Sequence, residues 1–243
     1  MASNKKSSPR YDLKAQDRKR DLFIRVGLTA LVALFAVGLV LYIVMGSEKK
    51  AAAGDTKAVR VAAASLMKKP NTDEPKAVLS IYEDFQCPHC RDFEKAFGST
   101  ITKLIDSGAV AVEYYMVALP GLDKSNRGYS TRAANAGYCV GDENKEAFGR
   151  FHSALFAQQP EEWAETFPSD NDLISEAKKA GAPDSVTDCV TSGKYLDMVN
   201  NAVKSSGISS TPAVLLNGTD IGDAVLLHPD PQALLDQLKT VSG

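Results

Sequence analysis

Two cysteines three positions apart, in the run Cys87-Pro88-His89-Cys90, are the residues of this 243-residue chain best suited to chemistry. Sulfurs at that spacing can close a small disulfide. At a helix N-terminus the outer one is stabilised as a thiolate by backbone N–H groups and the helix dipole. The thiolate is the reactive species, so the motif reads as a redox centre. A zinc site would need two more ligands, usually a second Cys-x-x-Cys or a spaced His pair. Cys139 and Cys189 lie fifty residues apart, and His89, His152 and His228 have no ligand spacing, so no metal is expected. An inert structural bridge is disfavoured, because a four-residue loop contributes little cross-link entropy.

The elements around the motif are those that would position it. The β-prone run Ala77-Val78-Leu79-Ser80-Ile81-Tyr82 leads into it, and Cys90 to Ile105 reads as the helix that follows, with Phe93, Phe97, Ile101 and Leu104 at helical spacing. Ala109 to Leu119, rich in Val and Tyr, predicts a second strand closed by a Pro120-Gly121 turn. From about 126 to 207 the chain is Ala-, Glu- and Lys-rich, a block of helices interrupted at Gly141-Asp142, Gln159-Pro160, Pro168 and Gly181-Ala182-Pro183. Within it Phe148, Phe151 and Leu155 form an apolar stripe, and His152 and Trp163 read as packing residues. Pro212 to Leu216 and a run around Ile221 to Leu227 predict a hairpin about Asn217-Gly218, and Pro231 to Val241 a final helix.

Residues 1–22 read as a cytoplasmic basic tail and residues 23–45 as a transmembrane helix. Val26 to Met45 are twenty consecutive uncharged, mostly apolar positions, enough to cross a bilayer core at ~1.5 Å per residue. The first 25 residues carry eight Lys or Arg against three Asp, which places the N-terminus in the cytoplasm and all four cysteines outside the membrane. An uncleaved signal-anchor is expected rather than a signal peptide: the apolar run exceeds the usual h-region, and charged residues separate it from Ala51-Ala52-Ala53. An even cysteine count in an extracytoplasmic domain favours disulfides. The 198 residues after the span carry 20 basic and 27 acidic groups, a balance of −7 that argues against nucleic acid. The basic tail is then an orientation signal beside anionic membrane lipid. Residues 46–73 read as a tether with a possible edge strand, and residues 74–243 as one domain with its own core.

A strand ending in Cys87-Pro88-His89-Cys90, an inserted helical block, Ser210-Thr211-Pro212 opening a hairpin, and a terminal helix together resemble the DsbA branch of the thioredoxin fold. Glu83-Asp84-Phe85-Gln86 and Phe151-His152-Ser153-Ala154-Leu155-Phe156 resemble bacterial membrane-anchored DsbA-like proteins. The resemblance implies an α/β thioredoxin-like domain with a helical insertion, acting as a thiol–disulfide oxidoreductase that puts disulfides into reduced exported proteins. It makes Cys87 the exposed nucleophile, Cys90 its buried partner, and Pro88-His89 the dipeptide of strongly oxidising members, with the histidine supporting the thiolate. It makes Pro212 a cis-proline facing the motif and Thr211 a backbone contact for substrate. It implies no cofactor, and reoxidation by a quinone-linked membrane partner of the DsbB or vitamin K epoxide reductase type.

Two residues depart from that pattern. Thr211 stands where the most oxidising DsbA has valine, and threonine there is typical of isomerases; a reductase or isomerase is therefore the nearest rival. A non-enzymatic peptide-binding module is the more distant one. Ile81 occupies the place, six before the first cysteine, where thioredoxin and DsbA carry a buried carboxylate. Proton transfer at Cys90 would then fall to water or to Glu83 or Asp84, which read as solvated or hydrogen-bonded strand-end residues. With Cys87 and Cys90 reserved for each other, Cys139 and Cys189 are left as a structural bridge, contributing roughly 3–4 kcal/mol by loop entropy.

Overall fold

The structure, a computed structural model, describes residues 56–125, 128–227 and 229–242. The basic tail, the apolar segment 23–45, the first part of the tether and His228 lie outside the described residues. Among the described residues no helix is long and apolar enough to cross a membrane.

A five-stranded sheet organises the domain, in the order β1 (Val59–Val61), β3 (Ala111–Met116), β2 (Val78–Glu83), β4 (Ala213–Leu216), β5 (Thr219–Asp220). Strands β2 and β3 are parallel and the other neighbours antiparallel. Between β2 and β3 the chain crosses over through helix α1 (Pro88–Asp106). Its Cys90, Phe93, Phe97 and Ile101 are buried at helical spacing, so one apolar stripe carries the helix onto the sheet. On β2 the alternation is strict: Leu79, Ile81 and Glu83 point inward.

Between β3 and β4 lie α2 (Pro120–Ser125), α3 (Tyr129–Glu143), α4 (Lys145–Ala157), α5 (Asp170–Lys179), α6 (Val186–Thr191) and α7 (Leu196–Ser206); α8 (Gly222–Leu226) and α9 (Pro231–Ser242) follow β5. Pro120-Gly121 opens α2 instead of closing a turn, since a proline at the first helical position loses no hydrogen bond. Gly141-Asp142 does not interrupt α3. A Cβ on Gly141 would lie 2.6 Å from Val59 Cγ2, so the glycine lets the helix approach β1. The run Ile221 to Leu227 is mostly helix where a strand was predicted: the Asp220 carboxylate accepts from Gly222 N–H at 2.7 Å and ends the hairpin after two residues. At the hairpin tip Asn217 and Gly218 both adopt positive φ, 50° and 80°, as a two-residue turn of this kind requires.

Cys139 on α3 and Cys189 on α6 are disulfide-bonded, with Cα atoms 5.8 Å apart. The bridge joins two helices of the insertion.

Candidate active site

The motif sits where β2 hands over to α1. Helix α1 begins at Pro88, earlier than the spacing of its apolar residues predicted, and Cys87 becomes its N-cap. A side chain there accepts from the N–H groups of the second and third helical residues, here His89 and Cys90. The neutral thiol makes no cap hydrogen bond and turns to the Thr211 carbonyl instead; the N–H groups of His89 and Cys90 act on the sulfur once it ionises, and the first turn carries no acidic residue to compete with a thiolate. Proline at the first position presets the helical φ and removes a donor that would have no partner.

The opposite wall comes from register. Ile81 pairs with Val214 and Tyr82 with Ala213, so one step further Pro212 stands beside Glu83. The Thr211-Pro212 peptide is cis. Cys87 Sγ lies 3.4 Å from the Thr211 carbonyl oxygen and, as a thiol, donates to it. The Thr211 hydroxyl is buried without a partner among the described residues, which leaves it free to donate to the sulfur once Cys87 ionises.

Both sulfurs are free thiols; Cys90 is buried as expected, at 0% exposed, whereas Cys87, expected to be exposed, is only 4% exposed. The Cys87 thiol is lowered to about 6. The S–H of Cys90, donating to the Cys87 sulfur, is the chief cause, and Thr211 and the backbone N–H groups of Cys90 and His89 add to it against burial. Burial and the adjacent Cys87 push the Cys90 thiol far up. One sulfur is ionised near neutrality and the other keeps its proton, the asymmetry that directed thiol exchange needs. The His89 side chain is exposed, and its support for the thiolate comes through its backbone amide.

Behind the sulfurs is a polar cluster in the core. Glu83 is 2% exposed and Asp84 0%, so neither is a solvated strand-end residue. Asp84 accepts from Ser130 Oγ at 2.6 Å and from the backbone N–H groups of Gln86 and Leu119, each at 2.8 Å; burial still raises its carboxyl to about 6. Glu83 Oε2 meets His152 Nε2 at 2.9 Å, and Glu83 Oε1 has no partner among the described residues. Burial first, then Cys87, holds the Glu83 carboxyl well above the carboxylate range. Glu94 Oε2 lies 3.9 Å from His152 Nδ1, and burial and Glu83 push its carboxyl up to about 8. Burial lowers His152. His152 does pack, against Phe85, Tyr114, Phe148 and Phe156, but it is equally the polar partner of Glu83.

Glu83 thus does from β2 what Ile81 cannot, presenting a buried protonatable group whose charge helps to raise the Cys90 thiol. Parity could have exposed it, since Glu83 shares the inward face of Leu79 and Ile81. Glu94 stands four after Cys90 and three before Phe97, on the buried stripe of α1. Gln159 gave no such signal: its Nε2 donates to the carbonyls of Phe85 and Cys87 at 3.0 Å each, while Gln86 Nε2 donates to the Pro160 carbonyl at 2.8 Å. Trp163, read as a packing residue, is 79% exposed. It lies in a short turn flanked by glutamates, where no core is within reach.

A strand-to-helix dithiol with one activated and one buried sulfur, faced by a cis-proline, defines a thioredoxin-fold redox enzyme. The chain belongs to the thioredoxin family, whose pattern matches residues 72–235, and within it is a DsbA-like disulfide oxidoreductase. It is similar to the oxidised DsbA of Mycobacterium tuberculosis, at 46% identity and TM-score 0.72, over 77% of this chain and 93% of that one. The reduced DsbG of the same organism matches at 46% and 0.72, over 80% and 92%. MdbA of Corynebacterium diphtheriae, a thiol-disulfide oxidoreductase, shares the fold at 22% identity and TM-score 0.58, over 77% and 98%. A 163-residue stretch is 30% identical to the serine/threonine-protein kinase PknE of M. tuberculosis, covering 64% of this chain. The chain spans 28% of the length of the curated relatives it matches. Family membership removes the reading of the motif as part of a non-enzymatic module.

Proposed function

We propose that the protein introduces disulfide bonds into reduced proteins exported across the cell membrane, to which segment 23–45 anchors it with the N-terminus in the cytoplasm. The reading rests on one observation, the placement of Cys87 at the N-terminus of α1 against the cis Thr211-Pro212 peptide, an arrangement that lowers its thiol to about 6. A stabilised thiolate favours the reduced enzyme and is a good leaving group, so the oxidised enzyme passes its disulfide on.

A substrate thiolate attacks Cys87 Sγ in the Cys87–Cys90 disulfide, and Cys90 departs and takes a proton, for which Glu83 is the adjacent donor. The second substrate thiolate then attacks the substrate sulfur of the mixed disulfide and releases Cys87 as its thiolate. Two electrons pass to the enzyme; of the two substrate protons one is matched by Cys90 and the other goes to solvent. Thr211 and Pro212 supply the edge on which the substrate backbone lies. Reoxidation falls to a quinone-linked membrane partner of the DsbB or vitamin K epoxide reductase type, and no organic cofactor takes part.

Thr211 favours the second reading, a reductase or isomerase on the same scaffold. Equilibration with glutathione separates them. An oxidase should have a potential well above the ~−270 mV of thioredoxin. A value at or below that figure would put the reductase reading first.

A further inference from the structure

Trp163 is the chain's sole tryptophan, and at 79% it is the most exposed of the large apolar side chains among the described residues. Tryptophan is on average highly buried in folded domains, so one this open stands out. Its placement is not that of a loose loop. The turn Glu161 to Ala164 is closed by Ala164 N–H donating to the Glu161 carbonyl at 3.0 Å. The segment leading into that turn is held against the catalytic segment by Gln159 Nε2 donating to the Cys87 carbonyl at 3.0 Å and Gln86 Nε2 donating to the Pro160 carbonyl at 2.8 Å, and the turn itself pairs through Glu161 with Arg91 at 3.8 Å. Arg91 immediately follows Cys90, and the Cα of Trp163 can stand no more than about 8 Å from that of Glu161. The chain that carries Trp163 thus leaves directly from residues held against the catalytic segment, and its ring stands open to solvent.

Its surroundings are acidic. Glu161, Glu162 and Glu165 flank it within four positions, and only Glu161 has a basic partner among the described ion pairs. An indole face bordered by carboxylates suits a cation with an apolar stem, lysine or arginine, through cation–π attraction and charge pairing.

We propose that Trp163, with Glu162 and Glu165, forms a docking subsite for a basic residue next to the reacting cysteine of a substrate polypeptide. This rests on the disulfide-exchange reading of the Cys87-Cys90 site. It adds a preference, for cysteines in basic sequence, that the motif alone would not confer. Trp163 binds and positions; the chemistry stays with the two sulfurs.

Two tests on the full chain decide it. The first uses two dithiol peptides identical except for lysine or glutamate beside the first cysteine, with dithiothreitol as a small control. The lysine peptide should be oxidised about fivefold or more faster in kcat/KM than the glutamate peptide. Trp163→Ala should erase most of that ratio, acting on KM rather than kcat, while its effect on dithiothreitol stays several-fold smaller. Glu162→Gln with Glu165→Gln should remove the charge preference with the indole in place. The second test is independent of turnover: in a Cys90→Ser variant trapped with the lysine peptide on Cys87, the single tryptophan's emission should change relative to the same variant capped with β-mercaptoethanol. Equal rates for the two peptides, or emission that does not move in the adduct, would overturn the subsite. Failure to oxidise any dithiol, with the emission change present, would instead count against the oxidase reading and leave the subsite standing.

Discussion

Glu83 and His152, 69 positions apart in the chain, meet at 2.9 Å in a part of the core that solvent does not reach. The carboxyl ends strand β2 and the imidazole belongs to the inserted helices, so the pair joins the redox strand to the insertion. Replacing Glu83 by glutamine keeps shape and one hydrogen bond but removes the exchangeable proton. The rate of Cys90 release and re-closure at neutral pH should fall by about a hundredfold, the lower end for a lost acid–base group, with the Cys87 titration little moved. Rapid-mixing kinetics on mixed disulfides measure this directly, and an unchanged rate would assign the proton to another source.

Cys87 should titrate with a midpoint of about 6 in thiolate absorbance at 240 nm. Because the S–H of Cys90 is the largest contributor, Cys90→Ala should raise that midpoint by a pH unit or more. The same shift governs stability. The folded value lies below the reference of 9.0, so the thiolate's contribution is fully present above pH 9 and is lost as pH falls through about 6. For the reduced enzyme relative to Cys87→Ser this amounts to at most about 4 kcal/mol, read by denaturant titration at pH 5, 7 and 9.

Glu94 works in the opposite sense. Its carboxyl is raised from 4.5 to about 8, so an ionised unfolded chain faces a protonated folded one between those values, and stability is lost as pH rises through them. Glu94→Gln should flatten that decline and raise the melting temperature most at pH 8. No gain at pH 8 over that seen at pH 5 would show that Glu94 is already ionised in the folded protein.

Thr211→Val tests the wall opposite the sulfur. Family comparison reads valine here as the more oxidising residue, whereas the buried hydroxyl lowers the Cys87 thiol in this chain. Removing it should raise the Cys87 midpoint and make the enzyme less oxidising. Thiolate titration and glutathione equilibration of the same variant give both quantities, and a fall in the midpoint would return the argument to the family pattern.

The Cys139–Cys189 bridge should contribute roughly 3–4 kcal/mol to stability, and its double serine variant should melt lower yet keep thiol exchange at moderate temperature. Loss of turnover in a variant shown to be folded would make the bridge part of the electron path.

Local chemistry was readable from the chain because it depends on neighbours in sequence. The Cys-x-x-Cys spacing, the apolar stripe of α1, the alternation of β2 and the Asn217-Gly218 turn each follow from periods of three, four or two residues and from backbone preference. Helix α8 escaped the same reasoning, since a short apolar run suits strand and helix alike until Asp220 binds the Gly222 amide. The state of the charged groups, by contrast, depends on tertiary packing. Glu83, Asp84, Glu94 and His152 look like ordinary polar residues in sequence, and their protonation depends on how completely elements far apart in the chain remove water from around them. The same holds for Cys87. Its spacing announced a redox sulfur, but the enclosure by Thr211 and the Cys90 proton that set its reactivity exist only once strand, helix and hairpin have packed together.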